Sequence, residues 1–142
     1  MPDKNVVLAK IGNIQRCLRR IRDITNLEPD RLENFDIQDV FVLNLQRAIQ
    51  STIDLAAHII ASEGLGLPAN MKEHFSILRQ SGIIPESLSR RMTAMVGFRN
   101  VAIHDYQSID PEILKSILVT NLPDLEEFYS VILARYNLPP TP

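Results

Sequence analysis

The chain has 142 residues, 45% of them hydrophobic, with fifteen Lys and Arg against seventeen Asp and Glu for a formal charge of −2. That length and composition suit one domain with a sizeable core and exclude collagen-like, disordered and disulfide-scaffold chains, while a single cysteine, Cys17, fits a reducing, cytoplasmic setting. No global positive field draws the protein to a polyanion, no apolar run approaches the roughly 18 to 20 residues of a membrane span, and the N-terminal segment lacks the uncharged core of a signal peptide.

In chain order, Val7, Ile11, Ile14, Leu18 and Ile21 recur at intervals of four and three, with Lys10, Arg16, Arg19, Arg20 and Arg22 largely between them, and predict an amphipathic first helix. After an Asp-, Asn- and Pro-containing stretch, Phe41, Leu45, Ile49, Thr52, Ala56 and Ile59 predict a long, central helix over about 37–62, with Asp36 placed to cap it. A turn through Gly64 and Gly66 leads to a shorter helix over about 71–80 that ends at Gly82. Pro85 opens the next helix, because its missing N–H is an orphan in the first turn. Asp110 and Pro111 start another, with Ile109 and Leu114 spaced as a hydrophobic staple. The seam Leu118, Leu122, Leu125, Tyr129 and Ile132 runs through Pro123, where an interior proline predicts a kink or break. No segment alternates at period two. The expectation is an all-α antiparallel bundle of four or five main helices in one domain over 1–136, followed by a Pro-rich tail over 137–142 too poor in apolar groups to order itself.

Several chemistries have no footing in the sequence. Gly64 and Gly66 lack the third glycine, the Lys-Ser or Lys-Thr pair and the preceding strand of a phosphate-binding loop. His58, His74 and His104 are not spaced to share a helix face as ligands, and one cysteine cannot begin a zinc site, so neither a metal nor a resident cofactor is expected. The basic residues Arg16, Arg19, Arg20 and Arg22 read most simply as a solvated face, and otherwise as contacts to phosphate.

The segment 97–106, GFRNVAIHDY, departs from this pattern. The seam Leu88, Met92, Met95, Arg99, Ala102 and Tyr106 places a guanidinium where an apolar side chain is expected, and such a charge must be paired, exposed at an interface, or kept for an anion. At about 100° per residue, Asn100 and His104 share one helix face while Arg99 and His104 diverge by about 140°. Either the helix loosens before Asp110, or Arg99 reaches round, or two copies meet across a dimer axis. On a purely architectural reading, Arg99 pairs with a carboxylate, His104 ends a helix, and Tyr106 is a core aromatic with a wet hydroxyl. On a functional reading, Arg99 holds a phosphate, His104 moves a proton, and Asn100 orients His104 or a ribose. Those groups suit attack of an RNA 2′-OH on its own phosphate.

The eight residues from Arg99 to Tyr106 match an Arg-x4-His-x-Tyr pattern without a gap, and in this the chain resembles the HEPN superfamily, specifically the HepT toxins that accompany MntA, a minimal nucleotidyltransferase antitoxin. Helix order, chain length and the motif's place before the last helical segment extend the resemblance over the whole domain. It implies a homodimer with two motif copies in a shared cleft, acting as a metal-independent ribonuclease, with Arg99 and His104 catalytic and Asn100 in support. It also implies neutralisation by transfer of AMP from ATP to Tyr106 by an MntA-like partner, ATP serving only as the AMP donor. The alternatives are a non-catalytic nucleotide- or RNA-binding partner of a nucleotidyltransferase and a plain helical dimerisation protein.

Overall fold

A computed structural model describes residues 1–139. Six α-helices follow in order: α1 (Lys4–Thr25), α2 (Phe35–Glu63), α3 (Glu73–Gln80), α4 (Glu86–His104), α5 (Pro111–Ser116) and α6 (Leu122–Arg135). Among the described residues there is no strand, and none of the helices is long and apolar enough to cross a membrane.

The seam that predicts α1 is its buried stripe: Val7, Ile11, Ile14, Leu18 and Ile21 are at most 1% exposed. Each side chain of that kind taken from water contributes about 1.5–3 kcal/mol, which outweighs the weak intrinsic preferences of Val and Ile for helix. The stripe lies along α2, whose 29 residues span about 43 Å. The pair runs antiparallel. The Asp3 amide donates to Nε2 of His58 at 2.9 Å near one end of the hairpin, and Lys10 meets Asp54 at 3.4 Å one turn further in. Phe41, Leu45, Ile49, Thr52, Ala56 and Ile59 are all buried on α2.

Two boundaries differ from the sequence reading. Asn34, and not Asp36, caps α2, its Oδ1 accepting the amides of Asp36 at 2.9 Å and Ile37 at 3.2 Å. Both residue types suit the position, and the short 3-10 turn Pro29–Glu33 brings Asn34 into extended backbone at φ −78°, ψ 121° first, which leaves Asp36 in the opening turn. The third helix begins at Glu73, two residues after the expected start. At Gly82 a φ of 75° gives the left-handed stop expected there.

Pro123 does break the last helix, by a defined device. Residues Ile117–Asn121 form a π turn, and the amide of Leu122 reaches back five residues to the carbonyl of Ile117. The wider turn places Pro123 in the first turn of α6, where its missing N–H leaves no ladder bond unmade. α5 and α6 therefore form one interrupted rod, giving five main helical units. Arg22 of α1 ties this rod down through Glu126 at 2.5 Å, while Arg19 and Arg20 are exposed. Of the expected tail, the Leu138 amide still donates to the Leu133 carbonyl at 2.9 Å beyond the left-handed Asn137; the remainder of the tail, 140–142, lies outside the described residues.

Candidate active site

The helix does loosen after the arginine. α4 ends at His104; Asp105 leaves helical backbone at φ −152°, ψ 54°, and Tyr106–Ser108 make one 3-10 turn before Asp110 caps α5. The cause is local. The Asp105 carbonyl accepts both the amide of Ser108 at 3.1 Å and its hydroxyl at 2.9 Å, a side-chain bond that competes with continuation of the helix.

Arg99 is half-buried, and its Nη1 donates to Oδ1 of Asn100 at 3.1 Å and lies 3.3 Å from Sδ of Met71. Among the described residues no carboxylate comes within 4 Å of it, so the pairing that an ordinary architectural arginine would have is not made. A guanidinium carries five N–H donors, and among the described residues those on Nε and Nη2 make no hydrogen bond. Asn100 thus supports Arg99; its side chain oxygen is engaged there and not with the imidazole.

His104 is exposed at the last turn of α4, and among the described residues its ring has no hydrogen-bond partner. The other two histidines are used by the fold: His58 accepts the Asp3 amide, and His74 Nδ1 lies 3.0 Å from the Asn70 carbonyl. Gly97, Asn100 and His104 lie at i, i+3 and i+7, one face of α4. A Cβ on Gly97 would come within 3.7 Å of Nζ of Lys72, so an exposed ammonium rests at the near end of that face, about 10 Å along the axis from His104. Lys72 was not singled out from the sequence, because nothing in its own stretch signals contact with a residue 25 positions on.

Tyr106 is half-buried and turned toward the start of α2, where its hydroxyl donates to Asp39 Oδ1 at 2.6 Å and lies 3.3 Å from Gln38 Oε1. Burial first, then the hydrogen bond and charge of Asp39, push the phenol pKa well above the usual tyrosine range, so the side chain is neutral. Cavities of about 400 and 470 Å³ flank the pair, one walled by Val42, Leu43 and Gln46, the other by Phe35, Gln107, Ile109 and Pro111. Among the described residues no group of three or more His, Cys, Asp or Glu side chains is placed to hold a metal ion. Arg99, Asn100 and His104 are thus carried by the last turns of one helix, and Tyr106 follows two residues later on a separate turn with its own partners.

Residues 14–132 match the family described as ribonuclease HepT-like. The chain is 36% identical over 130 residues to the mRNA nuclease HepT of Shewanella oneidensis, an alignment covering 92% of this chain and 98% of that one. It is 27% identical over 107 residues to the tRNA nuclease HepT of Aphanizomenon flos-aquae, covering 75% and 73% of the two. Its fold superposes with a TM-score of 0.88 on the tri-AMPylated Shewanella oneidensis HEPN toxin in complex with MNT antitoxin, at 35% identity over 93% of this chain and 99% of that one. A cytosolic Bacillus subtilis protein, YutE, shares the fold at a TM-score of 0.82 with 14% identity. With a match to its family across most of its length and relatives of this similarity aligned nearly end to end, the chain belongs to the ribonuclease HepT-like family of enzymes, within the HEPN toxins.

Proposed function

We propose that this protein is the ribonuclease toxin of a toxin–antitoxin pair, that it cleaves RNA without a metal by attack of the ribose 2′-OH on the adjacent phosphate, and that a cognate nucleotidyltransferase silences it by transferring AMP to Tyr106. The observation that carries this reading is Arg99: a half-buried guanidinium held by Asn100 Oδ1, with no carboxylate within 4 Å among the described residues, five positions before an exposed and unengaged His104.

The reaction needs a base to take the 2′-OH proton, an acid to protonate the departing 5′-oxygen, and a cation for the charge that grows on the phosphate. His104 supplies the first two types of group in turn or from two copies. Arg99 supplies the third, and its planar fork suits two phosphate oxygens at once. Asn100 holds the guanidinium in register. The divergence of Arg99 and His104 around α4 favours a homodimer in which the two motifs share one cleft, the arginine of one copy working beside the histidine of the other. Lys72 adds a cation for a neighbouring phosphate, which offsets the −2 overall charge where the substrate would lie.

An AMP group on Tyr106 would stand two residues from His104 and add both bulk and negative charge to the rim of that cleft. It would exclude RNA by occupancy and by repulsion. The chain is similar both to a relative named for mRNA cleavage and to one named for tRNA cleavage, and we infer that surfaces outside the motif select the RNA.

The test is expression of wild type and His104→Ala, each with and without the cognate nucleotidyltransferase, reading growth and intact mass. Wild type alone should arrest growth; with the transferase it should gain AMP mass and growth should return. His104→Ala should be harmless in both. Arrest by His104→Ala equal to wild type would refute the catalytic assignment.

A further inference from the structure

We propose that Asp39 is the general base for nucleotidyl transfer onto Tyr106, so that the acceptor protein itself supplies the group that takes the hydroxyl proton. This rests on the reading of Tyr106 as the AMP acceptor and adds to it a residue 67 positions away in sequence.

Three observations support it. The Tyr106 hydroxyl points its proton at Asp39 Oδ1 over 2.6 Å, within the range of a base poised for transfer. Among the described residues Asp39 has no cationic partner, so its capacity to accept a proton is not spent on an ion pair. Both residues also line two surface cavities, of about 400 and 470 Å³, which give an incoming phosphate room beside the tyrosine.

Burial and the neighbouring carboxylate keep the phenol protonated, and a neutral phenol is a weak nucleophile. Loss of the proton to Asp39 while the new bond forms avoids a free phenolate beside a carboxylate. In the step itself, the proton passes from Tyr106 Oη to Asp39 Oδ1 and the oxygen attacks the α-phosphorus of a nucleoside triphosphate. The bond from that phosphorus to the bridging oxygen of the β-phosphate breaks, and pyrophosphate leaves with the electron pair. Asp39 then returns its proton to water. The product oxygen has no hydrogen left to donate, and its phosphodiester faces a carboxylate, so the tyrosine is released from Asp39 as the reaction completes. A purely anchoring role would not require an acid–base group, since Gln38 Oε1 already lies 3.3 Å from the same hydroxyl.

The experiment measures the initial rate of AMP incorporation from ATP by the cognate transferase into full-length wild type, Asp39→Asn, Asp39→Glu and Asp39→Ala, with circular dichroism to confirm folding. Asp39→Asn still accepts the hydroxyl hydrogen bond but cannot take the proton, so its rate should fall by about two to four orders of magnitude. Asp39→Glu should recover a substantial part, and added formate should speed Asp39→Ala while leaving wild type unchanged. Asp39→Asn modified within threefold of the wild-type rate overturns the proposal and leaves Tyr106 as the acceptor. AMP on wild type at a residue other than Tyr106 overturns the acceptor assignment and this proposal together.

Discussion

Arg99 Nη1 donates to Oδ1 of the next residue, Asn100, at 3.1 Å, a contact between neighbours whose side chains a helix points about 100° apart. The contact links the arginine to the residue that shares a helix face with His104. Truncating Asn100 to Ala should therefore act through Arg99: kcat/KM for RNA should fall by about ten- to a hundredfold, the usual weight of one hydrogen bond to a charged group, with little change in Tm because the site is half-buried. Steady-state kinetics and thermal melts on the same preparation check this, and unchanged kcat/KM would assign the contact to packing alone.

Lys72 rests over Gly97, away from the proposed chemistry but on the same face. Lys72→Ala should weaken RNA binding and lower the salt dependence of log Kd by about one phosphate contact, roughly 0.7 for a single strand, while kcat at saturation stays within a few fold. Binding titrations at several salt concentrations measure it.

What the sequence made legible was whatever repeats locally. The seams of α1 and α2 could be read because intervals of three and four fix a buried stripe without knowledge of what covers it, and those residues are the core. Pro123 announced a break for the same reason, although its form, a π turn over Ile117–Asn121, depended on keeping Leu118, Leu122 and Leu125 buried together on the two sides of it. The motif's composition was legible and its geometry was not. Whether Tyr106 stayed on the stripe of Arg99 depended on Asp105 and Ser108 closing a separate turn. The partners of Tyr106, Gln38 and Asp39, and the Met71 thioether beside Arg99 come from elsewhere in the chain, and no local pattern marks them.

A composite site predicts complementation. Arg99→Ala and His104→Ala should each be inactive as purified homodimers, yet a mixture refolded or co-expressed to form heterodimers should regain up to about half of wild-type activity, because one of the two arginine–histidine pairs in the shared cleft then joins an intact arginine and an intact histidine from opposite copies. Cleavage assays on the tagged heterodimer give the answer. No recovery in a heterodimer confirmed by mass would place both groups of each site on a single copy.

Tyr106→Phe keeps the ring and loses the hydroxyl, and with it the bond to Asp39. It should fold, lose about 0.5–1.5 kcal/mol of stability, cleave RNA as wild type does, and take up no AMP from the transferase and ATP. Growth arrest should then persist in the presence of the transferase. Intact mass and growth curves test this, and equal modification of Tyr106→Phe would move the acceptor to another residue.

The most direct measurement is cleavage of a defined RNA by purified wild type, Arg99→Ala and His104→Ala in the presence of excess chelator, with the product ends identified by mass. Attack by the 2′-OH predicts a 2′,3′-cyclic phosphate on one fragment and a 5′-OH on the other, undiminished by the chelator, and a loss of about two to four orders of magnitude in His104→Ala. Full activity of His104→Ala, or 5′-phosphate products that form only when a divalent metal is restored, would contradict the mechanism.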